Sequence, residues 1–285
     1  MNGNALLIGA RELAALPPRT VLIVDCRFAL ADPGKGERDF LQAHIPGAVY
    51  ASLDRDLSDL SRRGLGRHPL PEAAAFSRTL SRWGWHTGLA TVAYDDEGGA
   101  MAAARLWWML GSAGIRARVL DGGWRAWTDA KLPVARGEAS PRDVTRVDVQ
   151  FDPARQVDYA GLDALGDQPS ALILDARAAP RFRGEFEPID RVAGHVPGAH
   201  NRPVAKNLEA DGRFKPAAAL RQEFAAELAG RDPREVVHMC GSGVYACQNQ
   251  LAMEVAGLSG SRVFLPSWSG WSSDPSRPIE TSDRR

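Results

Sequence analysis

The strongest constraint on this sequence is an internal duplication. Three motifs occur twice, in the same order, with the copies about 150 residues apart. Three ordered matches at nearly one offset indicate that the chain folds as two copies of one domain. The paired segments are VLIVDCR at 21–27 and ALILDAR at 171–177, HIPGA at 44–48 and HVPGA at 195–199, and WRAW at 124–127 and WSGW at 268–271.

The length and composition of the chain agree with two ordinary globular domains. The 285 residues are 44% hydrophobic and 25% charged, which predicts a packed core in each half. Thirty-five basic residues balance thirty-five acidic ones, so no overall field draws the chain to nucleic acid or to a membrane surface. No basic and apolar leader begins the sequence, and no run approaches the roughly 20 apolar residues of a membrane span. We therefore expect a cytoplasmic protein.

Each half alternates short apolar runs with longer helical patterns. The runs VLIVD, ATVAYD, ALILD and EVVHMC predict buried strands, whereas PEAAAFSRTLSRWG and PAAALRQEFAAELAG predict helices that begin near proline and end at glycine. This alternation is typical of an α/β domain with a mainly parallel sheet and helices on both faces. The proline-containing segment 131–156 predicts a linker between domains at 1–130 and 157–285.

One cysteine stands in a loop suited to chemistry. The predicted strand EVVHM leads into CGSGVYA at 240–246, and a helix follows. Glycines at 241 and 243 allow the backbone to curl, so that amide groups and the helix dipole favour an anionic sulfur on Cys240. The alternative is an inert buried cysteine. Cys26 and Cys247 are interpreted as small apolar residues, although Cys247 could also resolve an oxidised Cys240.

These motifs resemble a known family. CGSGVYA is similar to the active-site loops of mercaptopyruvate and thiosulfate sulfurtransferases, usually CGSGVTA and CRKGVTA respectively. HIPGA, HVPGA and LDGGWRAW resemble other motifs of the same tandem-domain rhodanese family, and the resemblance extends over residues 21–271. It implies two tandem rhodanese-like domains and a persulfide carried by Cys240 and stabilised by the amides of 241–246. It also implies transfer to a thiol or cyanide acceptor, with thioredoxin among the candidates, and no metal or organic cofactor. We expect a monomer.

The first half lacks this nucleophile. Its matching segment is TVAYD followed by DEGG, so Asp95 occupies the cysteine position and Asp96 and Glu97 follow it. A carboxylate in that position cannot carry sulfane sulfur and repels anions. The first domain is therefore predicted to be catalytically silent.

The resemblance also implies residues that bind the donor. Arg181, in the string PRFR, matches the arginine that holds the donor's carboxylate or sulfonate; the alternative is a solvated surface arginine. A second arginine belongs to an EPR-like string in the family. This sequence has EPIDR instead, so Arg191 is the candidate replacement. The loop residues Gly241, Gly243, Val244 and Tyr245 complete the predicted binding set, with Tyr245 in place of the usual threonine.

A proton relay is the remaining prediction for the site. His68 in GRHPLP and Asp54 in ASLDRDLS match residues that would form a serine, histidine and aspartate relay with Ser242. The alternative is that His68 braces its loop and Asp54 caps a helical turn.

Four functions are compared on these residues. Gly241 and Ser242 replace an Arg-Lys pair that would favour doubly charged thiosulfate, so mercaptopyruvate is the preferred donor and thiosulfate the alternative. A cysteine-dependent phosphatase needs an arginine six positions after the cysteine, where this chain has Ala246. A non-catalytic binding module would not need Cys240 inside an intact glycine loop.

Overall fold

The computed structural model describes residues 6–99, 101–166, 168 and 170–281. The outer ends of the two predicted domains, 1–5 and 282–285, lie outside the described residues.

The first half contains a five-stranded sheet in which every pair of neighbouring strands is parallel, in the order β1-β5-β4-β2-β3. Its strands are β1 (Leu7–Ile8), β2 (Val21–Asp25), β3 (Val49–Tyr50), β4 (Ala90–Tyr94) and β5 (Ala117–Leu120). Its helices are α1 (Ala10–Ala14), α2 (Lys35–Gln42), α3 (Ala73–Arg82), α4 (Ala102–Ser112) and α5 (Gly123–Asp129).

The second half contains a four-stranded parallel sheet in the order β7-β6-β8-β9, which repeats the last four positions of the first sheet in reverse. Its strands are β6 (Leu172–Asp175), β7 (His200–Asn201), β8 (Val236–Met239) and β9 (Arg262–Val263). Its helices are α6 (Tyr159–Gly166), α7 (Ala179–Phe182), α8 (Ala217–Leu228), α9 (Val244–Val255) and α10 (Ser267–Trp271). The predicted α/β class with two parallel sheets is confirmed.

Both faces of each sheet are covered, as the apolar strands require. In β2, Leu22 and Val24 enter one core with α3 and α4, whereas Val21 and Ile23 enter another with α1, α2 and α5. A strand buried on both faces cannot alternate apolar with polar residues, which explains the continuous run VLIVD. The predicted helices on both faces are confirmed.

One core joins the two halves. Helices α4 and α9, which follow the two loops at the ends of β4 and β8, pack against each other, and their side chains belong to a single cluster of buried apolar residues. The loops preceding these helices are therefore brought to the same side of the molecule. This packing places residues of the first half around the cysteine loop of the second.

The duplicated motifs have matching structural roles. Arg27 pairs with Asp25 at 2.6 Å, and Arg177 pairs with Asp175 at 2.7 Å, all four residues being buried. The histidines of the two HxPGA turns, His44 and His195, each stack on a phenylalanine and bond its carbonyl through Nδ1. Because the half with Asp95 in place of Cys240 has the same contacts, these residues support the fold in both halves.

The predicted linker segment has little regular structure. Between α5 and α6 the described backbone contains one short 3-10 turn, at Pro153–Arg155. Most of the segment lies against the first half: Ala135 exchanges main-chain hydrogen bonds with His44, and the Asp152 amide donates to the Ser112 carbonyl. Its end reaches the second half, where Arg155 pairs with Glu254 at 3.2 Å. None of the helices in the described ranges is long and apolar enough to cross a bilayer.

Candidate active site

The cysteine loop occupies the turn between β8 and α9. The Cys240 carbonyl accepts from the Trp268 amide at 2.9 Å and the Gly241 carbonyl accepts from the Ser269 amide at 2.8 Å, so α10 holds the loop from outside. The Gly243 amide donates to Cys240 Sγ at 3.2 Å. Gly243 has a φ of 79°, and a Cβ there would lie 2.4 Å from the Leu265 carbonyl oxygen, so only glycine fits this turn.

Ser242, His68 and Asp54 come together across the two halves. The Ser242 Oγ to His68 Nδ1 distance is 2.9 Å, and the His68 Nε2 to Asp54 Oδ1 distance is 3.4 Å. Burial lowers the pKa of His68, and the Asp54 carboxylate opposes that shift. A neutral imidazole whose Nε2–H faces Asp54 leaves Nδ1 to accept the Ser242 proton. The arrangement can therefore pass a proton between Ser242 and His68.

Two guanidinium groups lie beside Gly241. A Cβ at Gly241 would lie 3.3 Å from Arg67 Nη2 and 3.7 Å from Arg181 Nη1, so a larger residue would crowd both. Asp190 joins the two arginines, at 2.6 Å from Arg67 Nη1 and 3.0 Å from Arg181 Nη2. Glu187 accepts from Arg181 Nε and Nη2. Burial acts to raise the pKa of Glu187, but the hydrogen bonds from Arg181 and from the amides of Asp190 and Ile189 together lower it. These carboxylates orient the guanidinium groups of Arg67 and Arg181, so that each has a nitrogen facing Gly241.

The sequence prediction missed Arg67 and proposed Arg191 in its place. Arg191 is exposed and is not among the residues that line the cavity next to Cys240, because the chain at 190 turns Asp190 inward instead. The second guanidinium beside the loop comes from Arg67, in the first half. The available signal was its position next to His68 in GRHPLP, but the sequence gives no indication that this segment reaches Gly241.

A cavity of about 520 Å³ lies over the loop. Cys240 is only 1% exposed, so a donor must enter this cavity to reach its sulfur. The predicted residues Gly241, Val244 and Tyr245 line it, and Tyr245 Oη donates to Glu97 Oε2 at 2.8 Å. Other lining residues come from both halves: Phe28, Ala29, Leu30, Ala31, Lys35, Leu53, Arg67, His68, Asp96, Glu97, Met101, Arg181, Ile189 and Ser242.

The corresponding loop of the first half contains a buried carboxylate. The Asp95 carbonyl accepts from the Trp124 amide at 2.8 Å, as the Cys240 carbonyl does from Trp268, so the two residues are structural counterparts. Four main-chain amides donate to the Asp95 carboxylate, those of Glu97, Gly99, Met101 and Ala103 at 2.7 to 3.1 Å. Burial raises the pKa of Asp95 to about 6. Asp95 therefore fills the loop with the chain's own anion.

The other cysteines are buried thiols. Cys247 Sγ donates to the Gly243 carbonyl at 3.2 Å, and burial raises the pKa of Cys247 to about 12. Cys26 lies beside β2 with no exposed surface. All three cysteines are free in the structure.

The comparisons with known proteins cover nearly the whole chain. The family model described as Rhodanese-like domain matches residues 10–130 and 159–274. A probable 3-mercaptopyruvate sulfurtransferase of Pseudomonas aeruginosa is 48% identical over 98% of this chain and 99% of its own length. A Mycobacterium tuberculosis protein provisionally named thiosulfate sulfurtransferase SseB is 42% identical over 96% of both chains.

A comparison with solved structures agrees with the sequence comparisons. The structure of 3-mercaptopyruvate sulfurtransferase from Leishmania major superposes with a TM-score of 0.84 at 32% identity, covering 95% of this chain and 75% of the other. The family and enzyme class predicted from the motifs are confirmed, whereas the roles of individual site residues stay predictions. The chain belongs to the rhodanese family and is a sulfurtransferase with two rhodanese-like domains.

Proposed function

We propose that the enzyme takes sulfur from 3-mercaptopyruvate, carries it as a persulfide on Cys240 and delivers it to a thiol or to cyanide. The observation that carries this proposal is the position of Cys240 Sγ, within 3.2 Å of the Gly243 amide, at a cavity that also contains Ser242, His68 and two arginines. The names of two similar proteins agree with either mercaptopyruvate or thiosulfate as donor.

In the first half-reaction the Cys240 thiolate attacks the donor sulfur. A sulfur–sulfur bond forms, the carbon–sulfur bond breaks, and its electron pair goes to the methylene carbon as the enolate of pyruvate. The proton of the donor thiol must reach that carbon to give pyruvate. Ser242 and His68 relay it, with Asp54 orienting the imidazole. Cys240 is left as an anionic persulfide.

In the second half-reaction an acceptor thiolate attacks the outer sulfur of the persulfide. Cys240 leaves as a thiolate and the acceptor becomes a persulfide; with cyanide the product is thiocyanate. The loop amides and the helix dipole of α9 stabilise the negative sulfur between the two steps. Thioredoxin is a candidate among the thiol acceptors.

The donor carboxylate fits between Arg67 and Arg181. Their Nη2 and Nη1 atoms face the space that the missing side chain of Gly241 leaves open. Two guanidinium nitrogens suit the two oxygens of a planar carboxylate. Mercaptopyruvate also needs no further cation in the loop, whereas thiosulfate has two negative charges.

The donor assignment is tested by measuring kcat/KM for both donors on wild type and on two neutral variants, Arg67→Met and Arg181→Met. We expect wild type to prefer mercaptopyruvate and each variant to lose about 10- to 100-fold on it, mainly through KM, since a charged hydrogen bond contributes about 1.5–3 kcal/mol. Arg183→Met is the matched control, because Arg183 bonds exposed Glu185 away from the cavity. A wild-type preference for thiosulfate that neither variant changes would refute the assignment.

The persulfide is tested separately by mass spectrometry of the intact chain after donor treatment. We expect one added sulfur on Cys240, removed by a thiol or by cyanide, and none in Cys240→Ser. Failure of every donor to load Cys240 would favour a non-catalytic binding module. Release of phosphate from an aryl phosphate that depends on Cys240 would instead indicate a phosphatase.

The arrangement of the chain belongs to the same proposal. Residues 1–130 form a catalytically silent domain, 131–156 a linker and 157–285 the catalytic domain, together working as a cytoplasmic monomer. The support is that one chain supplies both walls of the cavity. Sedimentation at the working concentration tests the monomer, and activity confined to a membrane or secreted fraction would contradict the location.

A further inference from the structure

Asp190 joins the two arginines of the candidate site, one carboxylate oxygen to each. Its Oδ1 lies 2.6 Å from Arg67 Nη1 and its Oδ2 lies 3.0 Å from Arg181 Nη2. The other terminal nitrogens, Arg67 Nη2 and Arg181 Nη1, are the ones near Gly241. Asp190 therefore occupies one terminal nitrogen of each arginine and leaves the second directed at the space over the cysteine loop.

Asp190 lies behind these arginines and not in the cavity itself. Its side chain is 4% exposed, whereas those of Arg67 and Arg181 are 24% and 17% exposed. Among the residues that the structure describes, both arginines line the cavity, and neither Asp190 nor Glu187 does so. A donor in the cavity contacts the guanidinium groups, and the Asp190 carboxylate acts on it through them.

The positive charge of the arginine pair is balanced by buried carboxylates. Glu187 pairs with Arg181 at 2.7 Å and with Arg177 at 3.5 Å, and Arg177 also pairs with Asp175. Together with Arg67 and Asp190, this cluster contains three arginines and three carboxylates, so its formal charge is zero. Each negative charge that a donor brings is therefore added to a neutral cluster.

The remaining charged residues that line the cavity do not offset a second negative charge. They are exposed residues of the first half, one cation and two carboxylates: Lys35, Asp96 and Glu97. A donor with one negative charge can use both guanidinium groups for directed hydrogen bonds, as a planar carboxylate does. A donor with two negative charges meets repulsion from Asp190 at short range without gaining a further cation.

We propose that Asp190 is a positioning residue that sets the charge preference of the donor site. It orients Arg67 and Arg181 and cancels part of their charge, so the site favours a monoanion such as 3-mercaptopyruvate over a dianion such as thiosulfate. The inference rests on the proposed function, and it names the group that determines the choice between the two donors.

The test compares kcat/KM for 3-mercaptopyruvate and thiosulfate in wild type and Asp190→Asn at constant ionic strength. We expect the ratio of thiosulfate to mercaptopyruvate to rise by about tenfold or more in Asp190→Asn, because removing a nearby negative charge acts more strongly on a dianion. Asp190→Glu keeps the charge and should give a ratio close to that of wild type. Asp163→Asn is the matched control, since it breaks an aspartate–arginine pair with Arg277 at the surface.

The ratio separates the effect of charge from simple support of the arginines. If Asp190 only held Arg67 and Arg181 in place, Asp190→Asn would lower kcat/KM for both donors together. An unchanged ratio in folded Asp190→Asn would therefore refute the inference, whereas the proposed function would stand if wild type still loads Cys240 with sulfur.

A second measurement does not depend on sulfur transfer. Methanesulfonate and sulfate have nearly the same shape but carry one and two negative charges, and protection of Cys240 from iodoacetamide measures the affinity of each. We expect Asp190→Asn to strengthen binding of sulfate relative to methanesulfonate by about tenfold or more. This result would support the inference about the site even if no donor loaded Cys240 and the proposed function failed.

Wild type alone is sufficient if Asp190→Asn does not fold. A neutral cluster should show little preference for sulfate over methanesulfonate. Binding of sulfate more than about tenfold tighter than methanesulfonate would overturn the inference. Absence of protection by either anion would overturn it as well, because the two arginines would then bind no anion.

Discussion

The two loops that follow β4 and β8 are anchored in the same way and surround different groups. In each, the first residue's carbonyl accepts from a tryptophan amide, at 2.8 Å for Asp95 and 2.9 Å for Cys240. The Asp95 carboxylate takes four main-chain amides and is completely buried, whereas Cys240 Sγ takes the Gly243 amide and adjoins a cavity. The loop of the first half therefore encloses its own carboxylate, whereas the loop of the second half presents a sulfur to a cavity.

The first half is nevertheless part of the candidate site. It supplies His68, Asp54 and Arg67, each of which reaches the cysteine loop or its serine. The comparison teaches that the cavity is built from both halves: one provides Cys240 and the other provides polar groups around it.

The largest expected effect on activity comes from changing the residues at positions 240 and 95. Cys240→Ser should lower sulfur transfer by about 10⁴-fold or more, as loss of a catalytic nucleophile does. Adding Asp95→Cys to that variant should not restore transfer, because Ser242, His68 and both arginines face position 240. Steady-state assays with both donors check this. Recovery of activity in the double variant would contradict this difference between the loops, since it would mean that the first loop needs only a thiol to transfer sulfur.

The relay should give the next largest effect. His68→Gln should reduce kcat by about 10²- to 10⁴-fold, the range for general acid–base groups. Burial lowers the pKa of His68, so the imidazole stays neutral, and activity that depends on it persists, as the pH falls through 6.5. Because Asp54 opposes the shift, Asp54→Asn should move the acidic limb of kcat/KM to still lower pH. An acidic limb of kcat/KM at the same pH in Asp54→Asn as in wild type would contradict the contact between Asp54 and His68.

The two loops should also differ in how much their first residue stabilises the fold. Asp95→Ala leaves four amides without their acceptor and should lower the free energy of unfolding by at least about 2 kcal/mol at pH 4, whereas Cys240→Ala should cost about 1 kcal/mol or less. The pKa of Asp95 is about 6 when folded and near 3.8 when unfolded, so the native state binds more protons between those values. Its stabilising contribution is present below pH 4 and is lost as the pH rises through about 6. Urea unfolding of both variants from pH 4 to 7 measures the difference.

The smallest effect is expected where the two loops touch. Tyr245→Phe removes the bond from Oη to Glu97 and should lower the free energy of unfolding by about 0.5–1.5 kcal/mol, with less than a threefold change in kcat/KM. Glu97→Gln should cost less, since an amide oxygen can still accept from Tyr245. A large loss of activity in Tyr245→Phe would show that this contact positions the cysteine loop.

Much of the site could be predicted because its motifs are local. The glycines around Cys240 need particular backbone angles, and a strand, loop and helix in sequence create the anion cradle. The second arginine beside the loop could not be predicted from Arg191, because neighbouring residues on an irregular segment point in different directions. The sequence does not reveal that Asp190 turns inward and binds Arg67 from the other half.

By itself, the sequence determined the duplication and the two parallel sheets, and it predicted which half has the nucleophile and which half lacks one. These features depend on apolar runs, turn residues and the identity of residues 95 and 240, all of which are local. The tertiary structure decided which residues meet across the halves: His68 with Ser242, Arg67 beside Gly241 and Tyr245 with Glu97. Those meetings follow from the packing of α4 against α9, which depends on how two complete domains fit together and leaves no periodic signal in the chain.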